Sequence, residues 1–173
     1  QKEEKQNHTP AVKFDHVTFT YAGAGAPSLK DISFQAMPGE TIGIIGGTGS
    51  GKSTLVSLIP RFYDPQDGQV YMDGENVTEY TRKSIGEKVG IVQQRSVLFQ
   101  GSIRDNLKWG DENATDEDIW KAIEIAQAKE VVEGKMGKLD FQLEQNGRNL
   151  SGGQKQRLTI ARALVKKPEI LIL

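Results

Sequence analysis

A glycine-rich stretch over 46–54 carries the residues with the clearest chemical potential in this sequence. An apolar run over 41–45 precedes it and another over 55–59 follows it, an order that predicts a strand, a glycine loop and a helix. Glycines let backbone N–H groups surround a phosphate, and the helix start turns its positive dipole end toward the same anion. In such a P-loop, Lys52 contacts the outer phosphates and Ser53 contacts a magnesium ion. The sequence therefore predicts a nucleoside triphosphate site rather than a glycine-rich turn that only caps a helix. The residues of this glycine loop are Gly46, Gly47, Thr48, Gly49, Ser50, Gly51, Lys52, Ser53 and Thr54.

The stretch LSGGQ at 150–154 is a second candidate for anion binding. It places the Ser151 hydroxyl at the start of a predicted helix, where two glycines leave backbone N–H groups uncovered. Taken by itself, the pattern is equally typical of a serine N-cap followed by flexible glycines. Its presence in one chain with the glycine loop favours the anion. The residues of this second site are Ser151, Gly152, Gly153 and Gln154.

The elements that must position the two sites follow from β-rich composition, turn residues and apolar periodicity. The early strands should form an antiparallel layer beside the nucleotide. The helix after the glycine loop is predicted to end near Phe62, before a turn at 65–68. A capping box at Thr115 begins another helix, and a last helix runs over 151–166 until Pro168 stops it. Strands are predicted over 12–21, 29–36, 41–45, 69–72, 89–92 and from 169 onward. The helix residues predicted to face the core are Ile119, Ala122, Ile123, Ala126, Leu158, Ala161, Leu164 and Val165.

The composition limits the classes of protein to which this chain can belong. A chain of 173 residues can bury one core, and its net charge of −1, from 22 basic and 23 acidic side chains, gives no electrostatic footprint for nucleic acid. The absence of cysteine excludes disulfides and thiolate chemistry. No apolar run approaches the roughly 20 residues of a membrane span. The polar start over 1–10 and the apolar end over 169–173 lead us to expect an interior piece of a longer polypeptide, with 1–10 as a linker.

The glycine loop, together with LSGGQ and the KQRL that follows it, resembles the ATP-binding-cassette (ABC) ATPases over nearly the whole chain from residue 12. The resemblance implies an α/β P-loop NTPase fold with a RecA-like mixed sheet core, an N-terminal antiparallel β layer and an inserted α-helical lobe at about 95–150. These parts would form a nucleotide-binding domain over 11–173. The resemblance also implies ATP and Mg²⁺ as cofactors and a head-to-tail dimer, as a homodimer or a heterodimer. Each ATP would lie between the P-loop of one subunit and the LSGGQ signature of the other.

Residue by residue, the resemblance assigns roles at both sites. It implies that Lys52 and the loop amides hold phosphates, and that Ser53 and Gln94 ligate magnesium. Lys52 and Gln94 are the catalytic candidates, and 151–154 would face the γ-phosphate bound by the partner. Tyr21 corresponds to the family's aromatic residue that stacks on adenine, whereas a tyrosine in a β-rich run is more commonly a sheet packing residue.

The stretch FQGSIRDN at 99–106 resembles the exporters of that family, whose membrane segment is fused upstream. This implies transmembrane domains as partners and a location on the cytoplasmic face of the cell membrane. Exporters often carry Gly-Glu-Arg-Gly before the signature, but this chain has LEQNG at 143–147 and keeps only the last glycine. The family's aspartate, glutamate and histidine for hydrolysis would follow residue 173. We therefore expect this chain by itself not to turn over ATP.

Two classes of function stay open on these residues. The first is the ATP-hydrolysing motor of an exporter, and the alternative is a non-hydrolysing half-site that regulates a partner domain. The residue after the family's Walker B aspartate would separate them. A DNA-maintenance ATPase of the same superfamily is disfavoured, because no long coiled coil separates the two motifs and the charge is near neutral.

Overall fold

The computed structural model describes residues 9–95 and 97–173. Residues 1–8 of the predicted linker over 1–10 lie outside the described part of the chain. The chain divides into two compact units, 1–86 and 87–173, each with β-sheet structure of its own. Among the described residues, no helix combines the length and the apolar character that crossing a membrane requires.

The first unit is built on a four-stranded antiparallel sheet with the strand order β2-β1-β3-β4. The side chains of β1 alternate between buried and exposed, because successive residues of a strand point to opposite faces. The alternation shifts between Phe14 and Val17, where β1 is bulged and His16 has a φ of 49°. This sheet confirms the predicted antiparallel layer. Its strands are β1 (Val12–Phe19), β2 (Leu29–Ala36), β3 (Asp67–Met72) and β4 (Glu75–Asn76).

The predicted strand over 41–45 is wrong. The structure places these residues outside any strand, with Ile42 46%, Ile44 39% and Ile45 99% exposed. A strand requires a neighbour that exchanges backbone hydrogen bonds with it, and none of the strands within 9–95 and 97–173 pairs with this stretch. The β-branched residues of this stretch have a high strand propensity, but whether a strand forms depends on pairing with a neighbouring strand.

The first helix is shorter than predicted. Helix α1 (Lys52–Ser57) gives way to turns that continue to Phe62, whose N–H donates to the Ser57 carbonyl at 3.0 Å. Strand β3 in turn begins before the predicted residue 69, inside the stretch expected to be a turn. A 3-10 turn (Val77–Glu79) and helix α2 (Arg82–Lys88) follow β4.

The second unit contains a parallel strand pair, β5 (Val89–Ile91) with β8 (Ile170–Ile172). This pairing confirms the two apolar runs predicted as strands there. Gly90 is required at its position, because a Cβ atom would lie 2.8 Å from the Pro168 ring. The Lys166 ammonium donates to the Val89 carbonyl at 2.8 Å and so joins the last helix to β5.

Helices pack into one apolar core in the rest of the second unit. Of the side chains predicted to face the core, Leu164 is partly buried and the others are at most 7% exposed. Burying each larger apolar side chain contributes about 1.5–3 kcal/mol, so this face accounts for much of the unit's stability. The predicted capping box is present, since Thr115 and Asp118 exchange hydrogen bonds. The elements are β6 (Gly101–Ser102), α3 (Ile103–Lys108), α4 (Asp116–Ile125), α5 (Lys129–Glu133), β7 (Gln142–Leu143) and α6 (Gly152–Val165), with 3-10 turns at Lys138–Asp140 and Gln145–Gly147.

Candidate functional site

The backbone of the glycine loop is exposed and depends on glycine at its junction with α1. Gly51, the residue before the helix, has a φ of 91°, and a Cβ atom there would lie 2.7 Å from the Ser28 carbonyl oxygen. Gly49 also has a positive φ, of 80°. These conformations are accessible to glycine and strained for other residues. The loop therefore reaches its helix along a path that the sequence permits only through glycine.

The Lys52 ammonium lies within the curve of the loop. Its Nζ donates to the carbonyl of Gly47 at 2.9 Å and to the Ser50 hydroxyl at 3.4 Å, and it also contacts the Gly46 carbonyl. The carbonyl oxygens that hold Lys52 are acceptors, so what suits an anion here is the ammonium charge together with the N–H groups of the helix start. The chemistry of the loop therefore fits the triphosphate that its sequence predicts.

Ser53 and Thr54 have different environments in the first turn of α1. Ser53 is exposed, so its hydroxyl is accessible to a metal ion bound to phosphate. Thr54 is only 6% exposed, and its hydroxyl lies 2.8 Å from the Tyr21 hydroxyl. The structure thus brings Tyr21 to the helix that begins in the glycine loop, within the first unit.

Tyr21 has two aromatic neighbours. Its ring meets the ring of Phe19 at 4.8 Å and that of Tyr63 at 5.4 Å, both nearly perpendicular. Tyr63 was missed at the sequence level. The available signal was an aromatic pair, Phe62 and Tyr63, placed directly after the helix that follows the glycine loop. Tyr21 keeps 37% of its surface exposed, so part of the residue is accessible to a ligand.

The signature residues begin helix α6 in the second unit. Ser151 Oγ accepts a hydrogen bond from the Gln154 N–H at 3.2 Å, and Gln154 Oε1 accepts one from the Ser151 N–H at 3.1 Å. This capping box makes the serine an N-cap, one of the two interpretations open from sequence. The Ser151 hydroxyl still has its own proton to donate, so the cap does not exclude a phosphate contact.

The two glycines of the signature have no steric role within the described part of the chain. A Cβ atom on Gly152 or Gly153 would meet nothing within 4 Å, and both residues are exposed. Neither has a positive φ that would itself require glycine. The start of α6 therefore presents uncovered backbone to whatever approaches it.

Gln94 lies in a bend just after β5 and is exposed. It belongs to the second unit with the signature, whereas Lys52, Ser53 and Tyr21 belong to the first. Across residues 9–95 and 97–173, no group of three or more acidic or histidine side chains could hold a metal ion. Magnesium bound through a hydroxyl, an amide oxygen and phosphate oxygens does not need such a group. The assignment of Ser53 and Gln94 as metal ligands stays a prediction.

Comparisons with known proteins agree with the two motifs. The family model described as ABC transporter matches residues 29–173. An uncharacterized ABC transporter ATP-binding protein, YfiB of Bacillus subtilis, is 46% identical over 94% of this chain and 28% of its own length. The beta-(1→2)glucan export ATP-binding/permease protein NdvA of Rhodopseudomonas palustris is also 46% identical, over 94% of this chain and 27% of its own.

A solved structure of a bacterial Atm1-family ABC exporter with ATP bound is similar to this fold, with a TM-score of 0.84 and 37% sequence identity. The match covers 95% of this chain and 28% of the exporter chain. The predicted fold class, an ABC-type P-loop NTPase with mixed α/β structure and an antiparallel layer, is thereby confirmed. This chain spans under a third of the length of the relatives it matches.

Proposed function

Because this chain belongs to the ABC transporter family, we propose that it is the nucleotide-binding domain of an exporter. It binds Mg-ATP and pairs head to tail with a second such domain, and within the longer exporter it takes part in the ATP hydrolysis that drives transport across a membrane. The observation that carries the proposal is the Lys52 ammonium held within an exposed glycine loop at the start of a helix.

The first unit supplies the binding chemistry. Lys52 attracts the outer phosphates as a point charge, and the loop N–H groups add hydrogen bonds that fix their orientation. The exposed Ser53 hydroxyl is available to magnesium, which neutralises phosphate charge when bound. The exposed part of the Tyr21 ring is available to stack on the base. Each of these groups is present before a nucleotide arrives.

The signature supports a role across a dimer. Glycines that nothing in the described chain requires, at an exposed helix start, are consistent with a second surface that approaches the backbone closely. A γ-phosphate bound by a partner subunit would receive the Ser151 hydroxyl and the N–H groups of the first turn of α6. Gln154 keeps Ser151 in place by accepting from its N–H in the capping box, and the side-chain NH2 of Gln154 is the group that would donate to the phosphate.

The relatives support the exporter context. NdvA is named as an export ATP-binding/permease protein, which joins both functions in one chain. We propose the same plan here: a nucleotide-binding domain over 11–173, a helical lobe over about 95–150, and fused or associated transmembrane domains. The domain would then lie on the cytoplasmic face of the cell membrane.

Titration of the purified protein with Mg-ATP in a calorimeter tests the proposal. Lys52→Ala should weaken ATP binding by roughly 10- to 150-fold, because a charged hydrogen-bonding group contributes about 1.5–3 kcal/mol. Lys30→Ala removes an exposed lysine from β2 and is the matched control, with unchanged affinity expected. Equal affinities of Lys52→Ala and the wild type would remove Lys52 from the site and contradict the proposal.

A further inference from the structure

We infer that Thr54 is a positioning residue that holds the Tyr21 ring in place for the nucleotide base, an inference that rests on the proposed function. The two residues are 33 positions apart in sequence and are joined by their hydroxyl groups at 2.8 Å. Thr54 follows Ser53 directly in α1, so the ring is tied to the helix that carries the phosphate-binding residues. The base contact and the phosphate contact are thereby linked through one hydrogen bond.

Thr54 and Tyr21 differ in burial, and the difference suits their proposed roles. Thr54 is 6% exposed, which shields its hydrogen bond from competing water, whereas Tyr21 is 37% exposed. The hydroxyl end of the tyrosine is therefore fixed to the helix, and part of the ring surface stays accessible. This division is what a prearranged stacking platform requires.

The tilt of the ring is set by its neighbours. Phe19 meets the Tyr21 ring at an interplanar angle of 84° and Tyr63 meets it at 85°, with centroid separations of 4.8 and 5.4 Å. Phe19 and Tyr63 also contact each other, at 5.4 Å, so the three rings form one cluster. Perpendicular contacts of this kind are a preferred aromatic arrangement. They restrict ring rotation, while the hydroxyl pair restricts movement of the ring away from α1.

The hydroxyl pair requires a tyrosine at position 21 and not merely an aromatic residue. Phenylalanine could stack on a base equally well, but it could not bond to Thr54. A ring that is fixed before the base arrives loses less conformational freedom on binding, which improves affinity without a new contact. Removing the Tyr21 hydroxyl should therefore weaken nucleotide binding through the base alone.

Two ligands separate the base from the phosphates: Mg-ATP and inorganic triphosphate with magnesium. Tyr21→Phe and Thr54→Val should each weaken ATP binding by about 2- to 13-fold, the value of one ordinary hydrogen bond. The double variant should lose no more than either single variant, since one interaction is removed in all three. Thr54→Ser restores the hydroxyl and should restore ATP affinity. Triphosphate affinity should be unchanged in Tyr21→Phe, whose altered hydroxyl lies outside the glycine loop.

Two controls distinguish the proposed effect on base binding from a general loss of structure. Tyr71→Phe removes a hydroxyl that bonds to Gln69 in β3 and should leave ATP affinity unchanged. Thermal melts identify a variant that has lost its fold, and Tyr21→Phe tests the inference without any change in the buried helix position. Equal losses of ATP and triphosphate affinity in Tyr21→Phe would overturn it, because the hydroxyl pair would then act on the phosphates.

Additive losses in the double variant, or full ATP affinity in both single variants, would also overturn the inference while leaving the proposed function intact. A wild-type protein that binds triphosphate and ATP with no difference in affinity would also overturn the inference, because the base would then make no contact at all. A wild-type protein that binds neither ligand would overturn the proposed function together with the inference.

Discussion

At the scale of single residues, local backbone form decides which side chains meet. His16 lies in the β1 bulge with a positive φ, and Asp31 in β2 also has a positive φ, of 48°. The two side chains meet at 2.7 Å between Nδ1 and Oδ1. This hydrogen bond, followed by the charges of Asp31 and Asp15, raises the pKa of His16 above its usual 6.5. The pair is exposed, so its main consequence is a pH dependence rather than a large stabilisation.

We expect the pKa of His16 to lie above 6.5 in the folded protein and to return toward that value in Asp31→Asn. Since the folded pKa exceeds the unfolded pKa, the pair's contribution to the free energy of unfolding is fully present below about pH 6.5. It is lost as the pH rises through the folded pKa. NMR titration of the imidazole protons measures the shift. An unchanged His16 pKa in Asp31→Asn would show that the pair does not form in solution.

At the scale of elements, the exporter-like stretch over 99–106 has a structural explanation. Ser102 caps α3 by accepting from the Asp105 N–H at 3.0 Å. Asn106, 2% exposed, accepts from the Phe99 N–H at 2.7 Å and donates to the carbonyls of Phe99 and Ser102. One buried amide thus holds the segment before the helix onto the helix itself. Phe99 in turn lines a cleft of about 400 Å³ in the second unit, together with Trp109.

Asn106→Ala should lower the free energy of unfolding by about 2–4 kcal/mol, because three hydrogen bonds are lost and their backbone partners are left without this side chain. Denaturant unfolding of the purified protein measures this change. Asn113→Ala is the matched control at an exposed position, with a change within about 0.5 kcal/mol. A similarly small change in Asn106→Ala would contradict the role given to the buried amide.

At the scale of the whole molecule, the two proposed binding surfaces belong to different units of one chain. The proposed head-to-tail dimer makes use of both, since each ATP then needs the glycine loop of one copy and the signature of the other. The free space around Gly153 allows this to be tested without disturbing the fold.

Gly153→Asp should abolish ATP-dependent dimerisation, because a carboxylate would face the γ-phosphate of the partner. The variant should keep its melting temperature, since the new side chain meets nothing within 4 Å and an acidic residue suits a helix start. Light scattering under conditions that block hydrolysis measures the association.

Gly25→Asp adds the same charge at another unobstructed glycine and serves as the control for the dimerisation test. It should dimerise like the wild type. A Gly153→Asp protein that also dimerises with ATP would refute the role across the interface, and equal loss in Gly25→Asp would assign the effect to charge alone.

Many of the elements and motifs of this protein can be predicted from the sequence by itself, because the signals for them are local. Motif chemistry, turn residues and helix periodicity act within a few residues. They predicted the antiparallel layer, the capping box at Thr115 and the helix after Ser151. The LSGGQ stretch and the glycine loop also identified the family that the comparisons confirm.

Tertiary structure alone decided what depends on partners distant in sequence. The apolar run over 41–45 forms no strand, because strand pairing is a non-local property. The hydroxyl pair of Tyr21 and Thr54 and the approach of Tyr63 depend on how the sheet meets α1. No spacing in the chain encodes such contacts, since each arises only when packing brings two separate segments together.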